Sequence, residues 1–393
     1  MTDLDLCYMS ANEALEQFQA RRLSPVDIVK AQISRAEKLE PQINAFADTY
    51  FDEALEQARA SEDRYMSSAG PAGPLDGLTC VIKDEIKLKG KRTTGGSLIF
   101  KDHIDDQTDV FAERLQDAGV IVHARTTTPE FCLLGTCQSK IWGITRNPHN
   151  LDYTPGGSSG GTGASLAAGT TTLGTGTDIG GSIRIPAGCS GIVGLKAAYG
   201  RIPETPVMNL DFYSHSGPMT RTVGDCLSMF NVSAGQSPRD IASLPGVMRI
   251  TESLGDVRGR KIAWSVDLGY FQISDDVRAN TTSVLEHLKE LGAETEEIQF
   301  PWDESCQEAV QCYLAMLWGQ HIKRLVPEHG ALMTDYALQT VRDAERFTMD
   351  DFVRTLEKAV EVYNVFGAQM EKYDALICPT NGVPAVKADH DSW

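Results

Sequence analysis

The nine cysteines of this chain include no Cys-x-x-Cys pair, and they are odd in number and scattered. That excludes a disulfide scaffold and fits reduced thiols in a cytoplasmic compartment. No His-Glu-x-x-His occurs, and the histidines at 103, 123, 149, 215, 287, 321, 329 and 390 are dispersed, so neither a metal nor another cofactor is expected. No uninterrupted apolar run approaches the ~20 residues needed to span a bilayer. The N-terminal MTDLDLCYMSANEAL lacks a basic region followed by an apolar core, so no signal peptide is expected. Basic residues are also scarce: 36 Lys and Arg against 54 Asp and Glu give a formal charge of −18. Binding to nucleic acid or to an anionic membrane needs clustered positive charge, so neither partner is expected.

What is present is a glycine-rich stretch, TPGGSSGGTGASLAAGTTTLGTGTDIGGSIRIPAGCSGIVGLKAAYG over residues 154–200, with Lys83 upstream in LTCVIKDEI. A linker is a poor reading, because Leu166, Leu173, Ile179, Ile183, Ile185 and Leu195 would have nowhere to be buried. A phosphate cradle fails because no Gly-Lys-Ser/Thr follows and no Gly-x-Gly-x-x-Gly opens a helix after a strand. Gly157, Ser159 and Gly161 satisfy Gly-x-Ser-x-Gly, yet a nucleophile elbow needs a preceding hydrophobic strand and NPHNLDYTP is a polar, proline-broken loop. A serine nucleophile needs a base, and His149 is the one histidine near these serines. A lone lysine is most often a solvated surface residue. Lys83, however, sits among Leu78, Cys80, Val81, Ile82 and Ile86, which read as a short buried strand, and burial pulls a lysine toward the neutral amine that a base requires. Asp84 and Glu85 oppose this. A carboxylate beside the amine would keep it protonated, so both are expected to point elsewhere or to be held by backbone donors.

In residue type, order and spacing these segments resemble the amidase signature family: Ser158 lies 75 positions after Lys83, and Ser182 lies 24 after Ser158. The resemblance extends through Gly119, Thr128-Pro129-Glu130-Phe131, Asn147-Pro148, Gly194-Leu195-Lys196, Tyr199-Gly200-Arg201, Gly217-Pro218 with Arg221, and Asp374 with Cys378-Pro379-Thr380. It implies Ser182 as nucleophile, Ser158 as bridging serine after a cis Gly157–Ser158 peptide, Lys83 as terminal base, and an oxyanion hole at the backbone N–H groups of Ile179, Gly180, Gly181 and Ser182. Asp178 and Arg184 are expected to brace that turn. The implied fold is α/β, a large mixed, twisted sheet of about a dozen strands surrounded by helices, in a single domain over residues 1–393. Family members usually continue beyond the Cys-Pro-Thr segment, so part of the usual C-terminal region is expected to be lacking: the sequence stops 13 residues after Thr380. Ala124-Arg125-Thr126-Thr127 replaces the commoner Gly-Lys-Thr-Asn, and Ala197-Ala198 replaces Pro-Thr.

Local patterns support alternating helices and strands. Ser10 and Ser24 read as N-caps with Pro25 at a first helical position, residues 51–66, 109–118 and 275–291 as helices, and 119–123 and 261–266 as strands. By alignment Leu133, with Cys132 and Leu134 beside it, lines the acyl pocket, and Met208, Leu210, Phe212 and Tyr213 form a second apolar cluster. Such a pocket suits aryl or alkyl amides, with esters or carbamates as side substrates. Cys189 reads as a packing residue and His215 as structural. The expected activity is therefore hydrolysis of C–N bonds in small amides through a Ser–Ser–Lys triad and an acyl-enzyme. The competing class is the glutaminase subunit of a tRNA-dependent amidotransferase complex. The expected partner is a small-molecule substrate, with a homodimer left open.

Overall fold

The computed structural model describes residues 2–68, 70–206, 208–246, 248–251 and 255–390. The chain falls into two compact units, Met1–Glu252 with Ala385–Trp393, and Ser253–Pro384. In the first unit the N-terminal helices start where local chemistry dictates. Ser10 Oγ accepts from Glu13 N at 3.2 Å to open Ala11–Gln19. Ser24 Oγ accepts from Val26 N at 3.0 Å in a capping box with Asp27, and Pro25 fills the first turn of Pro25–Ile43. Val26 and Val29 then pack with Ala54 and Ala58 of helix Phe51–Met66 and with Ile121.

These helices surround a six-stranded mixed sheet whose spatial order is Phe46–Thr49, Ile121–Thr126, Thr79–Lys83, Leu173–Asp178, His215–Thr220 and Val193–Gly194. The strand ending at Lys83 is central and parallel to both neighbours, while the pairs beyond them are antiparallel. A parallel strand covered on both faces reads as a continuous apolar run, as Cys80-Val81-Ile82 does. Alternation decides where Lys83 goes. Cys80 and Ile82 enter the large core with Phe111 and Leu115, whereas Val81 packs with Ala164 and Ala168 of helix Gly160–Ala168. Lys83 shares the Val81 face and so reaches the start of that helix. The helix comes this close because it is built of small residues: a side chain at Gly161 would strike Thr127 N and Ala45 O at 2.5 Å.

In the second unit a three-stranded parallel sheet runs Glu294–Glu297, Lys261–Trp264, Ala375–Ile377, with Ala263, Ile298 and Phe300 as its apolar centre. The expected helices at 109–118 and 275–291 are Val110–Asp117 and Asp275–Glu290. The expected strands are Ile121–Thr126 and Lys261–Trp264. The architecture is mixed α/β as anticipated, but its described strands are apportioned among six-, three- and two-stranded sheets. No helix among the described residues is long and apolar enough to cross a membrane.

Candidate active site

Lys83 and Ser158 are both fully buried, and Lys83 Nζ lies 2.7 Å from Ser158 Oγ. The sheet supplies the approach: Lys83 N donates to Thr175 Oγ1 at 3.0 Å, and two residues on, Thr177 presents its hydroxyl 2.6 Å from Lys83 Nζ. A third oxygen, Glu85 Oε2, lies 3.1 Å from the same nitrogen and accepts a hydrogen bond from the Thr177 hydroxyl. This overturns the expectation for Glu85. The strand ends at Lys83, and Glu85 N and Ile86 N both donate to Lys83 O, at 2.8 and 3.1 Å, in a turn that folds residue 85 back toward the amine. Asp84 behaves as anticipated and faces away, accepting from Thr94 N at 2.8 Å and Trp142 Nε1 at 3.0 Å, with the buried Arg125 guanidinium at 3.6 Å. The electrostatics follow from this turn. Burial drives the Lys83 amine toward neutrality, but Cys132 and the Glu85 carboxylate beside it together outweigh burial and hold the pKa above the ordinary lysine value rather than below it. Burial likewise works against the Glu85 carboxylate, and Lys83 with the Thr177 hydroxyl reverses that and keeps it ionised.

The Gly157–Ser158 peptide is cis. Its neighbour Ser159 is fully buried; its N–H donates to Ser182 O at 3.2 Å and its Oγ accepts from Thr177 N at 3.3 Å. Ser182 is thus held beside the Lys83–Ser158 pair through backbone, not by a hydroxyl–hydroxyl bond. Around it the turn is organised by one buried carboxylate. Asp178 accepts from Gly181 N at 2.8 Å and Ile183 N at 3.2 Å, takes two bonds of 2.8 Å from the Arg184 guanidinium, and meets Lys196 Nζ at 3.1 Å. Gly181 has φ of 122°, and a side chain there would strike Ile185 at 2.7 Å. The bracing role expected of Asp178 and Arg184 is therefore visible as hydrogen bonds. One expected oxyanion donor is already occupied: the Gly181 N–H points at Asp178. Among the described residues, no protein acceptor engages the N–H groups of Ile179, Gly180 and Ser182.

Cys132 closes the turn Glu130–Cys132 with φ of 59° and lies against the Lys83–Glu85 pair. Burial pushes its thiol up to about 12, so it stays protonated. Leu133 follows half-buried, and the carbonyls of Leu134 and Thr136 press on Gly157, which places this segment beside Ser158. The Met208 side chain lies outside the described residues. Leu210, Phe212 and Tyr213 are 64%, 63% and 40% exposed, a surface cluster rather than core. His149 is turned to the Ser190 carbonyl at 3.0 Å, His215 is buried against Tyr199, and burial pushes the Cys189 thiol up to about 11. No group of three or more His, Cys, Asp or Glu suited to a metal occurs among the described residues. Thr177 was missed by sequence reasoning, because its place beside Lys83 comes from the pairing of strands far apart in sequence.

Comparison with known proteins shows what the chain as a whole is similar to. The family profile described as Amidase matches residues 27–392. An acylamidase of Rhodococcus erythropolis is 33% identical over 393 residues, covering 97% of this chain and 80% of that one. One component of the glutamyl-tRNA(Gln) amidotransferase of Carboxydothermus hydrogenoformans is 34% identical, and the match covers 76% of this chain and 62% of that component. Among solved structures, a bacterial aryl acylamidase of the amidase signature enzymes superposes with a TM-score of 0.91 at 28% identity, over 98% of this chain and 82% of its own.

Proposed function

We propose, since this chain belongs to the amidase signature family and is an amide-hydrolysing enzyme, that Ser182 Oγ attacks the carbonyl carbon of a small aryl or alkyl amide. Its proton passes to Ser158 Oγ and from there to a neutral Lys83 amine. The carbonyl oxygen, as it gains negative charge, is met by the N–H groups of Ile179, Gly180 and Ser182, with Gly181 contributing the bend. The C–N bond breaks as the proton returns through Ser158 to the leaving amine, and water then hydrolyses the acyl-enzyme. The observation that carries this reading is the contact of 2.7 Å between Lys83 Nζ and Ser158 Oγ, two polar side chains that are both fully buried. Cys132 and Leu133, on the segment beside Ser158, are assigned to the acyl side of the pocket. Esters and carbamates are assigned as side substrates, and the cytoplasm as location, in keeping with nine free cysteines.

The assignment is tested by treating the protein with an aryl phosphonate and locating the adduct by mass spectrometry. The adduct is expected on Ser182, with Ser182→Ala losing at least about 10⁴-fold in turnover, since nothing else forms the acyl-enzyme. Label on Ser159 or Cys189 would overturn it. A second reading, glutaminase within a tRNA-dependent amidotransferase, is favoured by the glutamyl-tRNA(Gln) amidotransferase relatives at 34% identity. It predicts glutamine hydrolysis only with the other components of that complex present; aryl amide hydrolysis by the isolated chain decides for the first reading.

A further inference from the structure

Lysine as an ammonium has three N–H donors and no lone pair, whereas a base must offer a lone pair. Around Lys83 Nζ stand three oxygens, Thr177 Oγ1 at 2.6 Å, Ser158 Oγ at 2.7 Å and Glu85 Oε2 at 3.1 Å, one for each donor of an ammonium. In that arrangement the amine gives a hydrogen bond to Ser158 and cannot take a proton from it. Two of the three acceptors are uncharged hydroxyls; Glu85 is the carboxylate. We infer that Glu85 is a positioning residue that holds Lys83 as its ammonium in the free enzyme, so that this carboxylate sets the pH at which the hydrolase switches on.

The other titratable groups facing the pair leave Glu85 as the charge that acts. Cys132, on the Glu130–Cys132 turn, and Cys137, just beyond it, are thiols whose burial raises their pKa. Glu204 lies beyond Glu85, and burial pushes its carboxyl up to about 8. Asp84 is turned to Thr94, Trp142 and Arg125. The Glu85 side chain is 29% exposed, whereas Lys83 is fully covered. The sign is fixed by this geometry. The base must be neutral, the carboxylate favours the charged amine, and activity therefore rises as pH rises through the Lys83 pKa. Removing the carboxylate charge takes away one of the influences that oppose burial and moves that rise to lower pH, by about 1–3 units for an opposite charge this close.

The inference rests on the Ser–Ser–Lys reading, and the experiment separates the two. The rate of Ser182 phosphonylation is measured against pH for the full chain, Lys83→Ala, Glu85→Gln and Glu85→Asp, with circular dichroism as the folding check. The expected result is a rising limb in the parent that Lys83→Ala abolishes, that Glu85→Gln moves about 1–3 pH units lower, and that Glu85→Asp, with its carboxylate drawn back by one methylene, moves less far in the same direction. A limb lost in Lys83→Ala but unmoved in both Glu85 variants overturns the inference and leaves the triad standing. A limb indifferent to Lys83 overturns the triad and the inference together. Should Glu85→Gln fail to fold, Glu85→Asp decides alone: a shift to lower pH supports the inference, and an unmoved limb defeats it.

Discussion

Two lysine–carboxylate pairs flank the proposed nucleophile at the same separation, 3.1 Å for Lys83–Glu85 and 3.1 Å for Lys196–Asp178. Their surroundings make them opposites. Asp178 is wholly buried and is fed by backbone N–H groups and the Arg184 guanidinium as well as by Lys196. Burial works against its charge, but these donors outweigh burial and hold the carboxyl far below the ordinary aspartate range. Lys196 is one donor among several there, and burial leaves its own pKa lowered. Glu85 has the Thr177 hydroxyl, the Cys132 thiol and Lys83 beside it, so its charge and that of Lys83 depend on one another. The number of donors on the carboxylate, rather than the distance to the lysine, thus separates a fixed brace from a pair that can change its protonation state.

The comparison breaks most sharply at Lys83. Lys83→Ala should reduce amide turnover by about 10²–10⁴-fold, the usual range for losing a general base. Activated esters should suffer less, because expelling an amine also requires a proton to be returned whereas an activated alkoxide leaves unaided. Parallel kcat/KM measurements on an anilide and the matching aryl ester check this. Equal losses on both would mean that Lys83 is structural, like Lys196.

How far this contrast was legible in the sequence depends on the kind of signal. The meeting of Lys83 with Ser158 was legible because the motif demands particular residue types at a set spacing, and the strand under Lys83 because Cys80-Val81-Ile82 is an apolar run. The bracing by Asp178 and Arg184 was readable because both adjoin the Gly180-Gly181 turn. Glu85 was misjudged. The chemical argument that a carboxylate would spoil the base was sound about energetics, but orientation is set by backbone: the strand ends at Lys83, and the turn closed on Lys83 O folds residue 85 back to the amine. Thr177 was overlooked because it becomes a partner of Lys83 only when strands far apart in sequence lie side by side, which no local pattern reports. The commitment of the Gly181 N–H to Asp178 is likewise invisible until the loop geometry is known.

A smaller effect is expected at the other pair. Asp178→Asn keeps the size of the side chain but takes an acceptor from a set of buried donors, which should cost about 1–3 kcal/mol of stability. It should also lower kcat by about 10–10²-fold as the oxyanion turn loosens. Thermal unfolding and steady-state kinetics on one preparation read both. The pH dependence has a definite sign. The Asp178 pKa is depressed on folding, so its stabilisation is present above the ordinary aspartate value of 3.8 and is lost as pH falls through the folded value. The gap in melting temperature between parent and variant should therefore narrow on acidification below pH 3.8 and stay constant above it. A gap that changes between pH 5 and 8 would assign the titration to some other group.

The smallest change should come from Lys196→Gln. Its Nζ contacts Asp178 Oδ1 and donates to Ile179 O at 3.0 Å, and a glutamine amide retains donor capacity toward one of them. Asp178 stays ionised on the Arg184 fork and the backbone N–H groups alone, so the turn should hold and kcat should fall by no more than roughly tenfold, the effect of about 1.4 kcal/mol. Most tellingly, the rising limb of the pH profile should stay where it is in the parent. The base that titrates is Lys83, and nothing about its three oxygen neighbours changes when Lys196 loses its charge. Measured beside Glu85→Gln under the same conditions, this variant is the control that gives the contrast its meaning. Were removal of the Lys196 charge to move the limb as far as removal of the Glu85 charge does, the pH response would belong to the summed field of the site, and the distinction between brace and titrating pair would fall.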